Sequence, residues 1–137
     1  MNDVASSAVI FRSEGGLFAF RINELLEIIT RSDYTFVPGL PDCVIGVINR
    51  MGDVIPVIDF RMRLGFPPTE YGSRSCLMVI EHDTTVAAVR VDEAVTSIDL
   101  EDNFVELGND SIIAGLANGS NGERISVIDA QKFFDIN

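Results

Sequence analysis

One pattern recurs within these 137 residues, and it limits the folds open to the chain more than any single motif does. Arg21-Ile22-Asn23-Glu24-Leu25-Leu26 returns as Arg90-Val91-Asp92-Glu93-Ala94-Val95, 69 positions later. At the same offset Val9-Ile10-Phe11 returns as Met78-Val79-Ile80, and Gly46 and Asn49 return as Gly115 and Asn118. Gly52-Asp53-Val54-Ile55-Pro56-Val57-Ile58-Asp59 returns as Gly122-Glu123-Arg124-Ile125-Ser126-Val127-Ile128-Asp129 at an offset of 70. The extra residue falls in a hairpin turn, where insertion costs least. Alternating apolar segments resemble one another by chance, but four matches in order at a nearly constant offset indicate duplication. Two copies are too few to stack as a solenoid. The expected fold is all-β, two small β-barrels packed together, with short helical turns. The chain is read as a single domain over residues 1–137, with repeats at approximately 6–66 and 75–136 and a linker at 67–74.

Local signals agree with strands. Ala8–Arg12 and Leu17–Arg21 flank Gly15-Gly16, and Val44–Asn49 and Val54–Asp59 flank Arg50-Met51, with Gly52 ending the turn. Cys76–Glu81 and Thr85–Val91 flank His82-Asp83-Thr84, and Ile112–Asn118 and Arg124–Asp129 flank residues 119–123. Short β-branched runs around turn residues predict four hairpins. Helical spacing is confined to short pieces. Asn23 is placed to cap a turn through Glu24–Ile28, and Asp59 and Asp129 to cap Phe60–Leu64 and Ala130–Phe134. Gly65 suits the C-terminal end of the second of these three turns. Phe66, ahead of Pro67-Pro68, reads as core between the barrels, and Arg61 and Arg63 as solvated charges.

Composition narrows function by exclusion. A hydrophobic share of 47% rules out a disordered tail. A net charge of -11 speaks against binding a nucleic-acid backbone or an anionic membrane surface. The charge is uneven, -2 over residues 1–68 and -9 over 69–137. The acidic half reads as solvated surface, and protein partners would sit on the first half. No apolar run reaches the roughly 18 residues needed to span a bilayer. Met1 to Ser7 lack the pattern of a signal peptide, so a cytoplasmic chain without direct membrane insertion is expected. Cys43 and Cys76 lie in apolar contexts and read as buried, reduced thiols. His82, the one histidine, falls in a turn and reads as solvated. Asp99–Asn103 resembles the start of a calcium loop, but Phe104 replaces the required glycine and Asp110 the closing glutamate. Asp92-Glu93 has Asn23-Glu24 as its counterpart, which suits a structural cap rather than an acid/base pair. No catalytic residue, cofactor or metal is expected, so function should lie in surfaces.

The block from Phe36-Val37-Pro38-Gly39-Leu40-Pro41 through Gly46-Val47-Ile48-Asn49-Arg50-Met51-Gly52 to Pro56-Val57-Ile58-Asp59-Phe60-Arg61 resembles the signature of the CheW-like domain family. Phe18–Ile28, Val89-Arg90-Val91-Asp92-Glu93 and Ile113-Ala114-Gly115 resemble further family segments in the same order. The resemblance implies two SH3-like five-stranded β-barrel subdomains around separate cores, with strands that can cross between barrels. It implies a non-catalytic adaptor that couples the cytoplasmic tip of a chemoreceptor to the regulatory domain of a CheA-type histidine kinase. The family commonly reads Asn-Leu-Arg-Gly at the hairpin where this chain has Asn49-Arg50-Met51-Gly52. The guanidinium is displaced by one residue, and adjacent strand residues face opposite sides.

Carried over by position, the expected partner-binding residues are Leu25, Glu27, Gly46, Asn49, Arg50, Met51, Gly52 and Arg61. Leu25 is an apolar anchor or simply core, and Glu27 a rim charge or a solvated one. Gly46 and Gly52 serve backbone geometry or the kinase-binding face. Alternatives are an adaptor of a related pathway such as surface or pilus-based motility, or an acidic protein that blocks basic surfaces. An enzyme is the alternative from another class, and a pocket holding several polar side chains near His82 and Asp83 would favour it.

Overall fold

The computed structural model describes residues 6–30, 33–108 and 110–136. The strands are β1 Ser7–Ser13, β2 Gly16–Arg21, β3 Leu25–Ile29, β4 Val44–Arg50, β5 Asp53–Asp59, β6 Cys76–His82, β7 Thr85–Val91, β8 Glu93–Asp99, β9 Phe104–Glu106, β10 Ile113–Asn118 and β11 Arg124–Ile128. Two short helices follow β5 and β11: α1 Phe60–Arg63 and α2 Ala130–Phe134. All four expected hairpins form, as β1–β2, β4–β5, β6–β7 and β10–β11.

The strands make two sheets, ordered β8-β1-β2-β11-β10-β9 and β3-β6-β7-β5-β4. The first has six strands where five were expected, because Phe104–Glu106 adds a short edge strand. Its counterpart in the second sheet is a single bridge, Thr35 to Val47. Each sheet mixes segments from both ends of the chain. The β1–β2 hairpin sits between β8 and β11, and the β6–β7 hairpin between β3 and β5. The pairings echo one another at the repeat offset. Val57 lies parallel to Ala88 as Val127 lies parallel to Ala19, and Leu25 opposes Ile80 as Ala94 opposes Phe11.

The helical expectations hold at two of three places. Asp59 accepts the Met62 N–H at 3.0 Å and Asp129 accepts the Lys132 N–H at 3.1 Å, so each caps its helix. Gly65, at φ +94°, turns the chain out of α1 in a conformation an L side chain resists. The expected turn over Glu24–Ile28 is instead a 3-10 turn at Ile22–Glu24 followed by β3, and Asn23 caps nothing. Pairing of Leu25–Ile29 with β6 outweighs the local capping signal.

The core also departs from the expected pair of separate cores. Two clusters do lie one to a sheet, around Ile10, Ala19 and Ile125, and around Val57, Leu77 and Val79. The largest cluster lies between them and takes Phe11, Phe20, Ile58, Phe60, Met78, Val89, Ile128 and Phe133 from both repeats. The Phe60 and Phe133 rings of the two helices stack there with centroids 5.6 Å apart. Cys43 and Cys76 are buried free thiols, and burial pushes both above the ordinary thiol range. Phe66 is a correction: it is 43% exposed, because Gly65 swings the chain away from the core.

Candidate functional site

The β4–β5 hairpin turns on Met51 and Gly52, at φ +52° and +89°, one residue later than the sequence suggested. Two successive positive-φ residues make the tight turn whose twist matches that of paired strands. The Asn49 side chain accepts the Gly52 N–H at 3.1 Å and holds the tip. Arg50 is therefore the last strand residue, opposite Asp53, and its Nε reaches Glu27 Oε2 at 2.5 Å. Glu27 lies on β3, at the other edge of the same sheet, so this ion pair ties the two edges of the barrel together. The displaced arginine thus keeps a partner in this chain. Met51 is left at the tip, 86% exposed, and Val54 beside it is 67% exposed. Leu26 and Ile28 are also exposed, on β3.

The structure brings Glu27, Asn49, Arg50, Met51 and Gly52 together at this tip. Leu25 packs partly into the shared core. Gly46 is a buried residue within β4, and a Cβ there would collide with the Thr35 carbonyl and the Tyr34 ring. It occupies a register shift in β4 that Gly115 repeats in β10. Val54 was missed by the sequence reading. The repeat carried a signal for it, because Val54 and Met51 correspond to Arg124 and Asn121, so apolar side chains stand where the other copy is polar.

Arg61 is the residue whose setting differs most from expectation. It is 8% exposed rather than solvated. Its guanidinium pairs with Glu14 at 3.3 Å, donates to the Asp92 carboxylate and lies 4.1 Å from the Tyr71 ring centroid. Arg90 lies 4.2 Å from the centroid, and the Tyr71 hydroxyl donates to the Arg90 carbonyl at 3.3 Å. Burial, with the Asp59 carboxylate nearby, holds the Tyr71 hydroxyl well above the usual phenol range. The linker is thereby pinned across the boundary between the two repeats. Arg63 donates to the carbonyls of Phe133 and Lys132 at 2.7 and 2.8 Å, closing the end of α2.

A third locality is polar. His82 is half-buried rather than free in solvent, and its Nδ1 lies 3.0 Å from Glu24 Oε2. Burial pushes the Glu24 carboxyl up from its ordinary value, with His82 pulling it back down. The other oxygen, Oε1, is buried without a hydrogen-bond partner. An open groove runs past this pair, lined by Arg21, Asn23, Asp83, Asp129 and Gln131 among others. It is the kind of pocket expected of the enzyme alternative. It holds one histidine between two carboxylates, Glu24 at 3.0 Å and Asp83 at 3.7 Å, without a cysteine, serine or metal-type cluster among the described residues that line it.

The profile of the CheW-like domain matches residues 7–137. The chain belongs to the CheW-like domain family. Among curated CheW-family relatives, it is 28% identical over 89 residues to the chemotaxis protein CheW of Helicobacter pylori, covering 65% of this chain and 54% of that one. It is 31% identical over 98 residues to CheW of Bacillus subtilis, covering 72% and 63%. It is 31% identical over 87 residues to protein PilI of Pseudomonas aeruginosa, covering 64% and 49%. The matched stretch thus spans between about half and two-thirds of these relatives' lengths. The crystal structure of the scaffolding protein TtCheW from Thermoanaerobacter tengcongensis superposes with a TM-score of 0.88 over 97% of this chain and 94% of that one, at 23% identity. That likeness establishes the CheW fold of two SH3-like subdomains. The CheW-like family is one of non-catalytic scaffold and coupling proteins, so its members work through surfaces.

Proposed function

We propose that this chain is a cytoplasmic adaptor coupling a CheA-type histidine kinase, through its regulatory domain, to the cytoplasmic tip of a chemoreceptor. The observation that carries the reading is the hairpin tip: Met51 and Val54 stand exposed beside the Arg50–Glu27 pair within a chain that matches the family over residues 7–137. Exposed apolar side chains beside a paired charge form an anchor with a polar rim, the usual anatomy of a protein interface. Glu27, Asn49, Arg50, Met51, Gly52 and Val54 build that surface, and Leu25 supports it from the shared core. Gly46 and Arg61 serve it from behind, through the β4 backbone and the pinned linker. Contacts of this kind are individually modest and gain from multivalency in an array. Calorimetry with a purified kinase regulatory domain tests the reading. Met51→Asp with Val54→Asp should weaken binding by about tenfold or more while the melting curve stays cooperative. Unchanged affinity would remove the tip from the kinase interface.

The similarity to protein PilI favours a second reading, an adaptor of a pilus-linked chemosensory pathway with the same docking surface. Binding to one pathway's kinase domain and not the other's separates the two.

A further inference from the structure

The pinned linker has a counterpart that no described residue fills in the same way. Around Tyr71 stand Arg90, Asp59, Asp92 and Arg61. At the repeat offset these become Arg21, Asp129, Asn23 and Gln131, and all four line the open groove beside His82 and Glu24. The correspondence extends outward. Arg90 lies over the Tyr34 ring as Arg21 lies over the Phe104 ring, and Glu14 and Asp83 hold equivalent positive-φ turn positions at +53° and +54°. Among the described residues no side chain stands in this groove as Tyr71 stands in the first site. We propose that the groove is a docking site for an extended segment of a partner protein, which inserts an aromatic side chain beside Arg21 and Gln131 as Tyr71 inserts beside Arg90 and Arg61.

The charges define the segment further. In the filled site Arg90 and Arg61 both flank the aromatic ring, and Arg61 also answers the Asp92 and Glu14 carboxylates. In the open groove Gln131 replaces Arg61, while Glu24, Glu81, Asp83, Glu106 and Asp129 line the walls against Arg21. The occupant therefore supplies the missing positive charge: an arginine or lysine adjoins its aromatic residue. A cation over an aromatic face, desolvated by the groove, sets the strength of such a contact. This inference goes beyond the coupling role and does not depend on which kinase or receptor the tip binds.

The probe is a capped synthetic peptide copying Phe66–Arg74 of this chain with Glu70→Arg, titrated at low salt into the isotope-labelled full chain. Amide resonances of Asn23, Asp83 and Gln131 should shift together and saturate in the millimolar range or below. The same peptide with Tyr71→Ala should bind about tenfold more weakly. In the Gln131→Arg protein the preference should invert, so that the unaltered Glu70 peptide binds better than the Arg peptide. Gln131 is exposed, so that variant keeps the fold. No shift in the groove, equal binding of the Tyr71→Ala peptide, or shifts confined to Arg61 and Arg90 would overturn the proposal.

Discussion

Met51 holds a backbone conformation that disfavours a side chain with a Cβ, at φ +52°, and is nearly fully exposed there. Replacing it with glycine should raise stability by about 0.5–1 kcal/mol in thermal melts, since strain relief outweighs the added chain entropy. The same variant should weaken kinase-domain binding if the side chain is the anchor, so stability and affinity would move in opposite directions. The double substitution Arg50→Met with Met51→Arg places the guanidinium at the tip, away from Glu27. Loss of a partly exposed pair should cost no more than about 1 kcal/mol. Its larger effect should be on the salt dependence of partner association, read at two ionic strengths. Identical affinities at both would make the order of these two residues neutral. Gly46 and Gly115 behave differently, because a methyl group at either meets backbone carbonyls and aromatic rings. Gly46→Ala and Gly115→Ala should each destabilise by about 2 kcal/mol or more in denaturant titrations.

At the scale of elements, the two helices are one turn long and depend on their caps and their packing rather than on helix propensity. Asp129→Ala should cost about 1 kcal/mol, because it frees the Lys132 N–H. Asp59→Ala should cost more, because Asp59 is buried and also stands beside Tyr71. The 3-10 turn that carries Glu24 offers a pH test. The folded state holds that carboxyl above its unfolded value, so the folded chain binds the proton more tightly than the unfolded chain. The stability this lends is present below the ordinary glutamate pKa, about 4.3, and is lost as pH rises through the folded value. The difference in melting temperature between Glu24→Gln and the parent should therefore grow in favour of the variant as pH rises through the carboxylate range. A difference that does not change with pH would place Glu24 in an unburied setting.

For the whole molecule, β1–β8, β3–β6, β5–β7 and β2–β11 all join one repeat to the other, and the largest core is shared. A cut in the linker should therefore yield two fragments that do not fold separately. Residues 1–69 and 70–137 should each give an unfolded spectrum and recover the native one when mixed. If either fragment melted cooperatively alone, the two repeats would be independent units. The shared core also makes the barrels a rigid pair, which suits a part that fixes spacing between partners.

The four hairpins, the two capped helices and the equivalence of the repeats were legible in the sequence because each rests on local chemistry. Turn residues between alternating apolar runs, and an aspartate ahead of a short apolar turn, act over a few positions wherever the chain goes. The family signature named the residues of the β4–β5 turn, Asn49 to Gly52, but not Val54, which only the strand register places beside them. What the sequence left open was decided at long range. Glu24–Ile28 had a capping signal, but the partner strand β6 lies about fifty residues away and gives those residues a strand to pair with. Arg61 read as a surface charge because Glu14, Asp92 and Tyr71 converge on it only after the hairpins exchange between sheets. Phe66 read as core because its apolarity is local, whereas the turn at Gly65 that carries it outward depends on where α1 packs. Strand exchange is itself invisible to periodicity, since a strand with the same alternation satisfies either sheet equally well. Only the shared core, which buries both sets of phenylalanines at once, selects the exchanged arrangement.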